Sequence, residues 1–236
     1  MIVAAVPVKD LDHAKQRLLG VLNAGERRAL TRAMLQDVLR ALAAAPVDAV
    51  WVVSGDPEVA ALARARGIET LREAENRGHT AAVASAQAEA RRRGAQVFLT
   101  IPGDVPGARP EEIAALARAP RTSGPPAAAF VPSRSGRGTN GVALRPPDAM
   151  PLTFGEPSFE AHVRLARERG LGPRVLSLPG LALDIDHPQD LAVLLARDPT
   201  TESGHLVRTW DLASRLNVAT FERRLRRRNP VEAPSD

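Results

Sequence analysis

The chain has 236 residues, 44% of them hydrophobic and 25% charged, with no cysteine and a formal net charge of +5. That length can bury a sizeable core, the apolar-to-charged balance excludes a disordered chain, and the absence of cysteine excludes a disulfide framework, a thiolate nucleophile and any Cys-ligated metal. Aromatic residues make up only 3% and include no Tyr, which makes base stacking a poor main binding mode and a nucleic-acid partner unexpected.

Read in chain order, β-branched apolar runs alternate with Ala/Leu-rich segments of helical period, the pattern of an α/β protein with a mostly parallel sheet and flanking helices. Strands are predicted over 2–8, 49–54, 68–71, 97–102, 127–131, 141–145, 174–178 and 181–186. Helices are predicted over 26–44, 57–65, 80–93, 110–118, 157–169 and 188–197. Four of these open with proline, at Pro57, Pro110, Pro157 and Pro188, which suits the first helical position because the missing N–H costs nothing there. The first half alternates regularly and reads as a nucleotide-binding half, and the β-rich second half as an acceptor-binding one. Residues 1–197 are expected to form one domain, followed over 198–236 by a linker and a helical, Arg-rich extension. That extension reads as a helix packed on the body or on a second subunit, so a homodimer is one arrangement it allows. "MIVAAVPVKD" lacks the basic and apolar regions of a signal peptide, and no stretch reaches the ~18 apolar residues of a membrane span; the expected location is the cytoplasm, with no membrane partner.

The net charge of +5 is matched by Arg223, Arg224, Arg226, Arg227 and Arg228 alone, so the rest of the chain is formally neutral. The only lysines are Lys9 and Lys15; every other one of the 32 basic residues is arginine. Both lysines fall in "PVKDLDHAKQRL", just after the first predicted strand. In open α/β sheets ligands gather beyond the carboxyl ends of the strands. This loop has no glycine for close backbone approach to phosphates and offers Lys9, Lys15 and Arg17 instead, cations suited to a triphosphate. A solvated loop of mixed charge is the plainer alternative.

"FLTIPGDVPG" ends an apolar strand in Asp104, in a setting where a turn or cap residue is also at home. "LALDIDHPQDL" places Asp184 and Asp186 on one face of a predicted strand, ~7 Å apart at the strand rise. Two carboxylates there repel unless a proton, a basic side chain or a metal offsets them, and Mg²⁺ with oxygen ligands suits the arrangement. Alternatively Asp186 caps the following helix and Asp184 pairs with an arginine. "SRSGRGTNGVAL" sets Thr139 and Asn140 in a Gly-rich turn, and "TFGEPSFEAH" sets Gly155 and Ser158 at a helix start, both natural sites for a phosphate or carboxylate. No G-x-S-x-G or H-E-x-x-H motif is present, and the five histidines do not form a hydrolase pattern.

The segments "PVKDLDHAKQRL", "TIPGDVP", "GRGTNGVAL", "FGEPSFEAH" and "LALDIDHPQDL", in this order over about residues 1–196, resemble the guanylyltransferases of coenzyme F-420 biosynthesis, which activate phosphoenolpyruvate or 2-phospho-L-lactate. The resemblance implies a Rossmann-like, glycosyltransferase-A type nucleotidyltransferase fold, GTP as donor and a small phosphorylated carboxylic acid as acceptor. It implies metal-binding roles for Asp104, Asp184 and Asp186, with Asp104 also touching nucleotide, and acceptor contacts from Thr139, Asn140, Gly155 and Ser158. Lys9, Lys15 and Arg17 match the basic N-terminal loop, and Gly78 and Thr80 in "NRGHTAAVASA" take the guanine position. The chain departs at His187, where Thr or Ser is usual before the proline, and the stretch after Arg197 lies outside the resemblance. The same reaction on 3-phosphoglycerate, and a sugar-phosphate or molybdopterin nucleotidyltransferase, are enzyme alternatives, the latter disfavoured by the glycine-free loop. A nucleotide-sensing or nucleic-acid-binding protein using the Arg-rich tail is the alternative outside enzymes.

Overall fold

The computed structural model describes residues 1–12, 14–73, 77–121, 124, 126–197 and 200–216. Seven strands are present: β1 (Ile2–Pro7), β2 (Ala49–Ser54), β3 (Glu69–Arg72), β4 (Val97–Thr100), β5 (Ala127–Pro132), β6 (Thr139–Arg145) and β7 (Arg174–Val175). They form one sheet in the order β3-β2-β1-β4-β6-β5-β7. β1 to β4 run parallel, whereas β6 is antiparallel to both β4 and β5. The sheet is covered on both faces, which is why its central strands are continuously apolar. Val3 and Ala5 pack with Val83 and Ala86 of α3 (His79–Arg92) and Val163 of α5 (Phe159–Glu168). On the other face Ala4 and Val6 pack with Leu35 and Val38 of α1 (Ala24–Ala43) and with Ile113 of α4 (Pro110–Arg118).

Two features of this topology position a site. The chain steps from β1 outward to β2 and β3, then returns to β4 on the other side of β1, which opens a crevice beyond the carboxyl ends of β1 and β4. Because β6 runs against β4, its amino-terminal residues Thr139 and Asn140 arrive at that same edge. They lie inside the strand, rather than in a turn before it as the glycine spacing predicts.

The predicted strand over 181–186 does not form. Both edges of β4 are taken, by β1 and β6, and those of β5 by β6 and β7, so the segment does not pair with either. It crosses the end of the sheet instead, held by single hydrogen bonds: Ile185 N–H donates to Asp104 O at 3.1 Å, and Arg134 N–H to Ala182 O at 2.7 Å. The two-residue alternation survives without a ladder. Leu181, Leu183 and Ile185 are buried, while Asp184 and Asp186 turn the other way and are partly exposed.

Helix boundaries shift for identifiable reasons. α1 begins two residues early because Asn23 and Glu26 form a reciprocal capping box. α5 begins after Ser158 rather than at Pro157, whose bond to Glu156 is cis. Pro57, Pro110 and Pro188 do open α2 (Pro57–Arg64), α4 and α6 (Pro188–Ala196).

The stretch read as a linker contains the start of α7 (Glu202–Arg208), followed by α8 (Leu212–Arg215). Thr201 caps α7 by accepting from Gly204 N–H at 3.1 Å. Asp37, buried on α1, accepts from Glu202 N–H (2.8 Å), Ser203 N–H (2.9 Å) and Ser203 Oγ (2.7 Å), clamping α7 onto α1. Val207 and Leu212 then share a core with Leu18, Leu30, Met34 and Ile185, so these helices brace both the loop after β1 and the 183–186 segment. Asp37→Ala is expected to lower the unfolding free energy by about 3 kcal/mol, since bonds to a charged acceptor are the stronger kind and three donors lose it. An unchanged urea midpoint would contradict the clamp. The arginines at 223–228 lie outside the described residues.

Candidate active site

The crevice is a cavity of about 710 Å³, and every residue singled out from the sequence lines it. Lys9, Lys15 and Arg17 come from the loop after β1, Asp104 from the loop after β4, and Gly78 and Thr80 from the start of α3. Thr139 and Asn140 come from β6, Gly155 and Ser158 from the approach to α5, and Asp184 and Asp186 from the segment crossing the sheet's end.

Lys15 is the centre of the charged end. Its ammonium lies 2.5 Å from Asp104 Oδ2 and 2.8 Å from Asp186 Oδ1, with only 6% of the side chain exposed. Burial opposes the charged form, but attraction to Asp104 and then Asp186 outweighs it and holds the group above the ordinary lysine range. Among the described residues Lys15 alone of the non-glycines has positive φ, at 57°. For a residue with a Cβ that left-handed backbone costs on the order of 1 kcal/mol. The paired carboxylates offset this cost by fixing where the side chain must reach. Arg17 is more exposed and approaches Asp186 Oδ2 and His187 Nε2, each at 3.5 Å.

The three aspartates do not converge as a ready cage. Among the described residues no three Asp, Glu or His side chains gather closely enough for a metal. Lys15 stands between Asp104 and Asp186, while Asp184 is tied elsewhere: its Oδ1 accepts from Asn140 Nδ2 at 3.0 Å. Burial raises the Asp184 carboxyl above its usual range; the Asn140 hydrogen bond opposes this, and the charges of Asp104 and then Asp186 reinforce it. Asp186 is lowered, because Lys15 more than offsets its burial. Asp104 Oδ1 is buried without a hydrogen-bond partner among the described residues.

The alternative roles for this pair are not what the structure shows. The N–H groups of Asp186 and His187 donate to Asp190, at 3.2 and 2.8 Å, so Asp190 rather than Asp186 caps the start of α6. The partner of Asp184 is Asn140, not an arginine. Asn140, expected at the acceptor, spends its second amide hydrogen on Ala182 O at 3.1 Å, so its donors serve to orient Asp184.

The same cavity is also lined by hydroxyls. Thr139 Oγ1 lies 3.1 Å from Ser158 Oγ. The opening N–H groups of α5, expected to receive an anion, are already used: Ser158 and Phe159 both donate to Arg137 O, at 3.0 and 3.1 Å. Gly155, at φ 129°, and Gly78, at φ 90°, adopt backbone that disfavours any side chain, and a Cβ at either would meet open space, so the demand for glycine is conformational. Thr80 Oγ1 accepts from Phe154 N–H at 2.9 Å, joining α3 to the loop that carries Gly155.

Sequence reasoning passed over two histidines. His79 opens α3 on the cavity wall, its ring 4.4 Å from Phe154. Burial, with smaller opposing effects of Asp104 and Lys9, takes its pKa down to about 4. His162 is buried at 2% exposure behind Thr139. Its spacing of four residues from Ser158 puts the two on one helical face, a signal the sequence did contain.

Comparison with known proteins shows the family and the fold. The family profile described as "Guanylyl transferase CofC like" matches residues 2–228, and so runs past the point near residue 196 where the motif resemblance stops. The chain is 44% identical over 202 residues to a phosphoenolpyruvate guanylyltransferase of Sphaerobacter thermophilus, covering 85% of this chain and 96% of that one. It is 41% identical over 195 residues to the enzyme of the same name from Rubrobacter xylanophilus, covering 83% and 94%. Among solved structures it is similar to a nucleotidyl transferase from Methanothermobacter thermautotrophicus, with a TM-score of 0.63 at 19% identity, covering 89% of this chain and 99% of that one. At that identity the likeness shows the fold.

Proposed function

Because the chain belongs to the CofC-like guanylyl transferase family, we propose that this cleft transfers the GMP unit of GTP to the phosphate of phosphoenolpyruvate and releases pyrophosphate, a step of coenzyme F-420 biosynthesis. One observation carries the reading: a buried ammonium braced by two aspartates and a pair of hydroxyls with no charge of their own line one cavity. A triphosphate fits the first and a small phosphorylated acid the second.

An oxygen of the acceptor phosphate attacks the α-phosphorus of GTP. The bond from that phosphorus to the α–β bridging oxygen breaks, and pyrophosphate leaves with the electron pair. The nucleophile is already an anion, so no general base is needed, and positioning plus charge neutralisation supply the catalysis. Lys15 neutralises phosphate oxygens from a fixed place, since Asp104 and Asp186 hold it with little freedom to lose. Lys9 and Arg17, both more exposed, meet the outer phosphates. Gly78 and Thr80, at the start of α3, border the base. Thr139 and Ser158 donate to the acceptor, and the bare backbone at Gly155 lets it approach.

A hard divalent cation suits the acidic donors. Asp104 Oδ1 is a buried oxygen without a partner among the described residues, and Asp184 is a carboxylate whose charge is disfavoured by burial and by its acidic neighbours. Asp104 and Asp184 would hold Mg²⁺, with Asp186 free to join them only where Lys15 turns from it to phosphate, and the cation would supply further neutralisation of phosphate charge.

The test is to incubate the protein with Mg²⁺, with GTP or ATP, and with phosphoenolpyruvate, 2-phospho-L-lactate or 3-phosphoglycerate, adding a downstream transfer partner in case the product is labile. Mass spectrometry should find guanylylated phosphoenolpyruvate as the main product and little adenylylated species. Failure to release pyrophosphate from GTP with any of the three acids would overturn the reading.

A further inference from the structure

We propose that His162 is a positioning residue that sets the direction of the Thr139 and Ser158 hydroxyls and thereby the affinity for the acceptor; the inference rests on the guanylyl-transfer reading above. Thr153 N–H lies 3.0 Å from His162 Nε2. A backbone N–H can only donate, so Nε2 must be the unprotonated nitrogen and the ring carries its hydrogen on Nδ1. Nδ1 is 3.0 Å from Thr139 Oγ1, which therefore receives that hydrogen. The Thr139 hydroxyl hydrogen is then directed onward, to Ser158 Oγ at 3.1 Å or to an oxygen in the cavity. Donation thus runs from Thr153 through His162 to Thr139, and whichever hydroxyl donates across the Thr139–Ser158 contact, one hydrogen of the pair is left for a ligand in the cavity that both line.

The arrangement is rigid and stays neutral. The ring stacks on Phe130 with centroids 5.9 Å apart and planes 6° apart, and meets Phe154 edge-on at 5.2 Å. Burial lowers its pKa to about 4, so one tautomer is kept at neutral pH. Direction matters because a phosphorylated carboxylate offers acceptor oxygens only, so a hydroxyl serves it only as a donor. The first two N–H groups at the start of α5 cannot substitute, being taken by Arg137 O.

The test is kinetic. His162→Phe keeps the ring and its stacking but removes the donor, and His162→Asn places an amide N–H near the position of Nδ1. With GTP saturating, His162→Phe should raise the KM for phosphoenolpyruvate by about tenfold, the value of roughly one net hydrogen bond, while the KM for GTP stays put. His162→Asn should recover most of the loss. In a Thr139→Val background the His162→Phe effect should disappear, because the group it acts through is gone.

An unchanged acceptor KM in His162→Phe would overturn the inference alone. So would a full additive effect on Thr139→Val, or a folded His162→Asn as impaired as a folded His162→Phe. If His162→Phe does not fold by thermal melt, a folded His162→Asn with weakened acceptor binding decides against it just the same. A wild-type protein that turns over no phospho-acid would overturn the guanylyl-transfer reading and this inference with it.

Discussion

Lys15→Met is expected to lower kcat/KM for GTP by about 10²–10³, the usual cost of removing one preorganised charge from a phosphoryl or acyl transition state. The side chain is nearly the same length, so the loop after β1 keeps its packing through Leu18. What disappears is the ammonium 2.5 Å from Asp104 and 2.8 Å from Asp186. Two effects follow together. The triphosphate would lose its most rigidly held cation, and Asp186 loses the charge that holds its carboxyl below the usual range. The loss should fall mainly on kcat, because charge redistributes toward the leaving pyrophosphate as the bond breaks. Steady-state kinetics with phosphoenolpyruvate saturating would measure it, and near wild-type turnover would contradict the role assigned to Lys15.

Asp184→Asn should separate activity from stability. The amide oxygen of the new side chain can still accept from Asn140 Nδ2, so the tie to β6 is kept while the charge is removed. Burial and the nearby charges of Asp104 and Asp186 already disfavour that charge in the folded protein. A carboxyl whose folded value is raised destabilises the native state above that value, so replacing it with a neutral isostere should raise the melting temperature at neutral pH. On the proposed metal role, turnover should fall by about 10²–10³ or more, because Mg²⁺ would lose one of its carboxylate ligands. The variant would then be more stable and almost inactive, the pattern of a residue kept for chemistry at the expense of stability. A variant that loses stability and keeps activity would show that Asp184 serves the fold instead.

Much of this site was readable along the chain because its pieces are local. The Leu181, Leu183 and Ile185 alternation sends Asp184 and Asp186 to one side whether or not a ladder forms, since the apolar residues must be buried either way. The predicted strand does not form for a reason no local pattern contains: both edges of β4, whose carboxyl end the segment crosses, are already paired. A glycine-free loop carrying the only two lysines was visible as a cationic segment, yet its partner Asp104 lies 89 residues away. That separation hid the fact that Lys15 stands between two of the three carboxylates expected to share a metal. The link from Asn140 to Asp184 spans 44 residues and was equally out of reach. His162 is different, because its spacing from Ser158 was local. Its role depends on Thr153 N–H choosing the tautomer, which only the folded geometry discloses. The Asp37 clamp on Ser203 belongs with the hidden features, since a mid-helix aspartate ordinarily reads as solvated.

On the proposed reaction, this cleft breaks GTP between its α- and β-phosphates and passes the nucleotidyl unit to a phosphorylated acid. Parallel reactions with phosphoenolpyruvate and Mg²⁺, one with GTP labelled at the α-phosphorus and one labelled at the γ-phosphorus, test it most directly. The α label should appear in the acceptor adduct and the γ label in pyrophosphate, in equal amounts. The γ label in the adduct, or in free orthophosphate with no adduct formed, would contradict it.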